Sequence, residues 1–272
     1  MLERLSRRQA LGGLGLLSVT AAWNGASAMN TVDPGVVAQL APSGRLKVAI
    51  NVGNVVLAQR GGAQGATGPS VDIADELGRR LGVPVDLIVY DTAGLVVTSL
   101  DTDHWDLAFM AIDPARADQI AFTAPYVFIE GTYMVKADAP YHNVGDLDRP
   151  GVRIAVGKGA AYDLYLSRTL KQATIVRSAT SVLAIDQFKH DGLEAVAGVR
   201  QALEQASASA AGYRVLPDSF NRIDQAVAVP KGREDALRYV AAFIEQLKAS
   251  GFVRAALDRA GQNGVPVAPA AQ

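Results

Sequence analysis

The chain has 272 residues, 49% of them hydrophobic and 19% charged, enough for one large domain or two smaller ones with packed cores. Its formal net charge of −1 lacks the basic excess that would point to a nucleic-acid partner. With no cysteine, disulfides, thiolate metal sites and a thiol nucleophile are excluded.

The first residues read as a targeting segment. Arg7 and Arg8 precede an apolar stretch from Ala10 to Trp23, and Ala26-Ser27-Ala28 offers small side chains for cleavage after Ala28. The arginine pair followed by Leu11 is similar to a twin-arginine export signal. The expectation is a cleaved, exported, periplasmic protein, since no later apolar run approaches the roughly 20 residues of a membrane span. Residues 29–44 are small and polar and are expected to form a loose leader.

"RLKVAINVG" then predicts a strand at 46–52. In "VDIADELGRRLG", Ile73, Leu77 and Leu81 share one helical face, with acids early, arginines late, and Gly82 and Pro84 as the stop. A strand in "VPVDLIVYD", a helix around 93–101 and a strand in "WDLAFMAI" complete a β-α-β-α-β run, the pattern of a parallel sheet covered by helices. "YVFIEGTYMVKAD" reads as an extended crossover near 134–137. The pattern restarts with a strand at 152–156, a helix from about 160, strands in "ATIVRSA" and "LEAVAGV", and a helix in "SVLAIDQFKHDG" between them. "DQAVAVPKG" is a second crossover, near 224–229, and a long helical region follows with Leu237, Val240, Ile244 and Leu247 on one face. The fold expected is α/β, with one lobe of residues 45–134 and 225–272 and a second of 135–224, joined by two crossover strands and hinging around a cleft.

Arg116, in "AIDPARADQIAF", has two readings from its neighbours alone. It is a carboxylate ligand, or it is a surface residue of a short turn capped by Asp113 with Pro114 at the first position, paired with Asp118. His104, His142 and His190 fall in turns or helix ends without ligand-like spacing, so no metal or other cofactor is expected.

An ordered series of motifs, "LKVAIN", "VDIADELGRRLG", "WDLAFMAIDPARADQIAFTAPY", "VGDLDRPGVRIAVGKGAAY" and "GLEAVAG", resembles the family 3 extracellular solute-binding proteins, periplasmic receptors of amino-acid-type ABC importers. The most specific block is Arg116 followed by Phe122-Thr123-Ala124-Pro125-Tyr126. The resemblance implies a type II periplasmic-binding-protein fold and a monomeric, non-enzymatic receptor that hands a small carboxylate to an inner-membrane permease. It also implies that Arg116 forks onto the ligand carboxylate, its planar donors matching both oxygens, with Phe109 and Ala111 on the strand before it. Backbone N–H groups of Ala160, Ala161 and Tyr162 at a helix start would assist. Asn51 and Asn54 match positions of further ligand contact. Val199 stands where the family places the acid that holds an α-ammonium, with Arg200 beside it; Glu130 or Asp163 are the possible substitutes. The alternatives carried forward are a dehydratase-like enzyme on the same scaffold and a ligand-sensing partner of a membrane receptor.

Overall fold

A computed structural model describes residues 32–102 and 105–272. The expected signal, with Arg7, Arg8 and cleavage after Ala28, lies outside the described residues, as does His104.

The first lobe opens with α1 (Pro34–Leu40), β1 (Leu46–Asn51), a small hairpin of β2 (Gln59–Arg60) and β3 (Ala66–Thr67), α2 (Pro69–Leu81) and β4 (Val85–Tyr90). It continues through α3 (Ala93–Thr98), a 3-10 turn at Ser99–Thr102, β5 (Leu107–Ala111) and β6 (Ile120–Phe122). β7 (Val127–Lys136) leads into the second lobe, built from β8 (Arg153–Gly157), α4 (Ala161–Thr169), β9 (Thr174–Ser178), α5 (Ser181–Asp191), β10 (Ala195–Val199), α6 (Arg200–Ala208) and β11 (Tyr213–Val215). β12 (Asn221–Pro230) returns, and α7 (Glu234–Ala249) and α8 (Phe252–Arg259) close the first lobe.

The main sheet runs β4-β1-β5-β12-β7-β10-β8-β9. β4, β1 and β5 are mutually parallel, as are β10, β8 and β9. Between these triplets, β12 and β7 pair with each other antiparallel over Asn221–Gln225 and Val127–Gly131. Helices cover the parallel strands, so β5 and β10 are buried along their whole length, the reason both read as unbroken apolar runs. Each lobe has its own apolar clusters, one around Ile50, Leu77 and Ile244 and another around Tyr133, Ile154 and Leu166.

Three expectations are corrected. From Val32 onward the leader is not loose, because Asp33 accepts the Gly35 N–H at 2.7 Å, Pro34 occupies a first helical position, and Val36 and Leu40 of α1 are buried in the first-lobe core. The long C-terminal helix is two helices, broken where Gly251 takes a left-handed φ of 77°. The first crossover lies earlier than 134–137. β7 leaves β12 and takes up β10 at Gly131, while Tyr133–Lys136 already belongs to the second lobe. A continuous apolar strand satisfies either partner, so its composition does not mark where the partner changes.

Candidate binding site between the lobes

Asn51, Ala111, Gly157 and Val199 are the last residues of β1, β5, β8 and β10, and all four line one cavity of about 40 Å³. Its position past the carboxyl ends of parallel strands, where loops and helix N-termini converge, is where open α/β sheets take ligands.

Arg116 is placed there by tight turns. Asp113 accepts the Ala115 N–H at 2.9 Å, its carbonyl accepts the Arg116 N–H at 3.0 Å, and the Arg116 carbonyl accepts from Gln119 and Ile120. The side chain turns inward and is only 2% exposed, so the reading as an exposed partner of Asp118 does not hold. Nη1 donates to the Ala111 carbonyl at 2.9 Å and Nη2 to the Gly159 carbonyl at 3.0 Å, one acceptor from each lobe. Asp113, the acid that opens the same turn, instead pairs with Arg168 of α4 at 2.8 Å, and no carboxylate oxygen lies within 4 Å of Arg116 among the described residues. Burial pushes the guanidinium down to about 10, against the opposing pull of Asp113, and leaves it charged at neutral pH.

Across the cavity is the start of α4. Ala160 is its N-cap and has no side chain to cap the helix, so the first N–H groups are not satisfied locally. The Ala160 N–H is not free as expected, since it bonds the Gly157 carbonyl at 3.1 Å; Ala161 and Tyr162 supply the open donors. The buried Tyr162 is fixed by donating to Ser181 Oγ at 2.7 Å. Gly94 of α3 and Gly159 meet here. A Cβ on Gly159 would stand 2.9 Å from the Gly94 Cα, so the lobes touch backbone to backbone.

Of the residues expected in the site, Arg116, Ala111, Asn51, Asn54, Ala160, Ala161, Tyr162 and Val199 line the cavity. Phe109 and Arg200 do not. Phe109 lies two residues deeper in β5, in edge contact with the Tyr126 ring at 6.1 Å. Arg200 bonds Glu130 at 2.6 Å and the carbonyls of Leu216, Pro217 and Asp218. That pairing also occupies Glu130, while Asp163 bonds Arg177 at 3.0 Å and the Gly159 N–H at 2.9 Å. Sequence reasoning missed Thr92, Ser181 and Gln225. Thr92 and Ser181 follow β4 and β9 as Asn54 follows β1, so the strand-end rule was the available signal. Gln225 was legible as the one amide in the apolar run "QAVAVP".

Residues 46–262 match the bacterial extracellular solute-binding proteins, family 3, and the chain belongs to that family. It is similar to the L-cystine-binding protein TcyJ of Escherichia coli K12, with 24% identity over 91% of this chain and 93% of that protein. Among solved structures, an amino-acid ABC transporter substrate-binding protein of Streptococcus pneumoniae bound to L-arginine superposes with a TM-score of 0.71, at 22% identity over 86% of this chain and 99% of that one. An ancestral amino-acid-binding protein, a precursor of cyclohexadienyl dehydratase, gives 0.70 at 22% identity over 82% and 98%. These establish the two-lobed type II fold; at such identities they do not carry the ligand across.

Proposed function

We propose that this chain is the substrate-binding component of an ABC importer and closes its two lobes around a small carboxylate in the periplasm. The observation that supports this most is Arg116, a buried cation that faces the cavity and, among the described residues, is met only by two neutral carbonyls. An unpaired buried charge is costly, and a ligand carboxylate would repay that cost while meeting the N–H groups of Ala161 and Tyr162. Val199, Asn51, Asn54 and Tyr162 shape the rest of the ligand pocket. The N-terminal signal directs export, and the monomer delivers its ligand to an inner-membrane permease.

Binding rather than catalysis is favoured by the cavity's side chains. A dehydratase needs a proton-transfer group against its substrate, and among the described residues the lining includes no Asp, Glu or His. Glu130, an acid that could transfer a proton if it faced a substrate, is bonded to Arg200 and does not line the cavity. Calorimetry with a panel of amino, hydroxy and keto acids tests the reading, with Arg116→Ala beside the wild type. Tight, Arg116-dependent binding without turnover is the expected result, and turnover of a bound acid would replace this reading with the enzymatic one.

A further inference from the structure

The carboxylate reading leaves open what the rest of the cavity recognises. Its charged lining residues are Arg116 and Lys158, both cationic, and each nearby acid that could hold an ammonium is already paired. Asp113 is bound to Arg168, Asp163 to Arg177, and Glu130 to Arg200. Val199, at the N-cap of α6, presents an apolar side chain that is 8% exposed. An α-ammonium here would be desolvated with no carboxylate to answer it.

The neutral polar groups point to a different substituent. Asn54 Oδ1 lines the cavity buried and without a hydrogen-bond partner. Gln225 is 4% exposed, also lines the cavity, and makes no side-chain hydrogen bond among the described residues. An ammonium brings three donors and accepts nothing, which would leave any N–H of these amides unanswered. A hydroxyl both donates and accepts, so one hydroxyl can answer an amide oxygen and an amide N–H together. A keto oxygen accepts only and would leave Asn54 Oδ1 without a partner. The cavity volume, about 40 Å³, is space for only three or four water-sized groups, which favours a short chain.

Resting on the carboxylate reading, we infer that the cavity selects a short 2-hydroxy acid over the matching 2-amino acid. The carboxylate lies on Arg116 and the start of α4, and the 2-hydroxyl lies between the amides of Asn54 and Gln225.

The test is calorimetry on the purified protein, stripped of co-purified ligand by denaturant and refolded. The probes are glycolate with glycine, lactate with alanine, and 2-hydroxyisocaproate with leucine, and pyruvate is added as the keto acid. The expected result is at least tenfold tighter binding of the hydroxy acid in every pair that binds, strongest in the two short pairs and lost in Arg116→Met. Val199→Asp places an acid at a helix N-cap, a position that favours it, and should turn the preference toward the amino acid. Asn54→Leu should weaken the hydroxy acid and spare propionate, which tells loss of the hydroxyl contact from loss of the fold. An Arg116-dependent preference for amino acids, or for pyruvate over lactate, overturns the hydroxyl assignment and leaves the carboxylate reading standing. Binding of no acid in the series, or binding indifferent to Arg116→Met, overturns both.

Discussion

Arg116 sits at the meeting of two opposed effects. Desolvation disfavours its charge, while two carbonyl acceptors, one from each lobe, hold its plane in place. Replacing it with methionine removes the buried cation but strands both carbonyls, and each change is worth about 1–3 kcal/mol in opposite directions. The ligand-free variant should therefore unfold within about 2 kcal/mol of the wild type in a denaturant titration. Ligand binding should fall far more. Truncating one member of a buried charge pair costs about 2–5 kcal/mol, or roughly 30-fold to several thousand-fold in Kd. Arg116→Lys should recover part of the loss, since a point charge cannot fork onto both oxygens. A variant that loses stability and binding in proportion would show that Arg116 is only a structural residue.

At the scale of elements, α1 and the α3–α4 contact make separable claims. Leu40 is fully buried in the first-lobe core and does not line the cavity, so Leu40→Ala should cost about 2–5 kcal/mol in stability with ligand affinity unchanged. Gly94 and Gly159 should behave the other way. Alanine at Gly159 meets the Gly94 Cα at 2.9 Å and must also take a φ of 74°, so it should hinder closure more than alanine at Gly94, whose nearest contact is 3.4 Å. Affinities of the two variants, measured side by side, should rank Gly94→Ala above Gly159→Ala. In α2, Glu76 is held down to about 2, first by its hydrogen bond to Arg79 and further by Arg80, against the opposing effect of burial. Its contribution is present above pH 4.5 and is lost as pH falls toward 2, because the unfolded chain takes up the proton first. Glu76→Gln should lower stability at neutral pH and flatten the acid limb of the stability curve.

At the scale of the whole molecule, the two lobes are held together around the cavity by the Arg116–Gly159 bond and the Asp113–Arg168 pair. Arg168 is 44% exposed while Asp113 is nearly buried, so solvent screens part of this attraction and the pair is worth about 1 kcal/mol. Arg168→Ala should shift the lobes toward an open form and weaken binding about fivefold through that population change. Solution scattering should show a larger radius of gyration for the ligand-free variant than for the wild type, and equal radii at ligand saturation. Equal radii in the ligand-free state as well would place the hinge's control elsewhere.

Periodicity and stop signals determined most of the elements. The apolar face at Ile73, Leu77 and Leu81 belongs to α2, and the all-apolar stretches became β5 and β10, because burial on one helical face or on both faces of a strand leaves a local mark in the residues. Arg116 and its turn were legible for the same reason, as Asp113 and Pro114 shape it within a few residues. The tertiary structure decided what local sequence does not encode. It chose Gly131 as the point where β7 changes partner, and it turned Asp113 to Arg168 rather than to Arg116. It drew Arg200 to Glu130 and Asp163 to Arg177, so that Arg116 and Lys158 are the cavity's only charged lining residues among the described residues. Ion pairs form between side chains as much as 187 positions apart, as in Arg259 and Asp72, and only chain folding brings such groups within the few ångströms over which they compete.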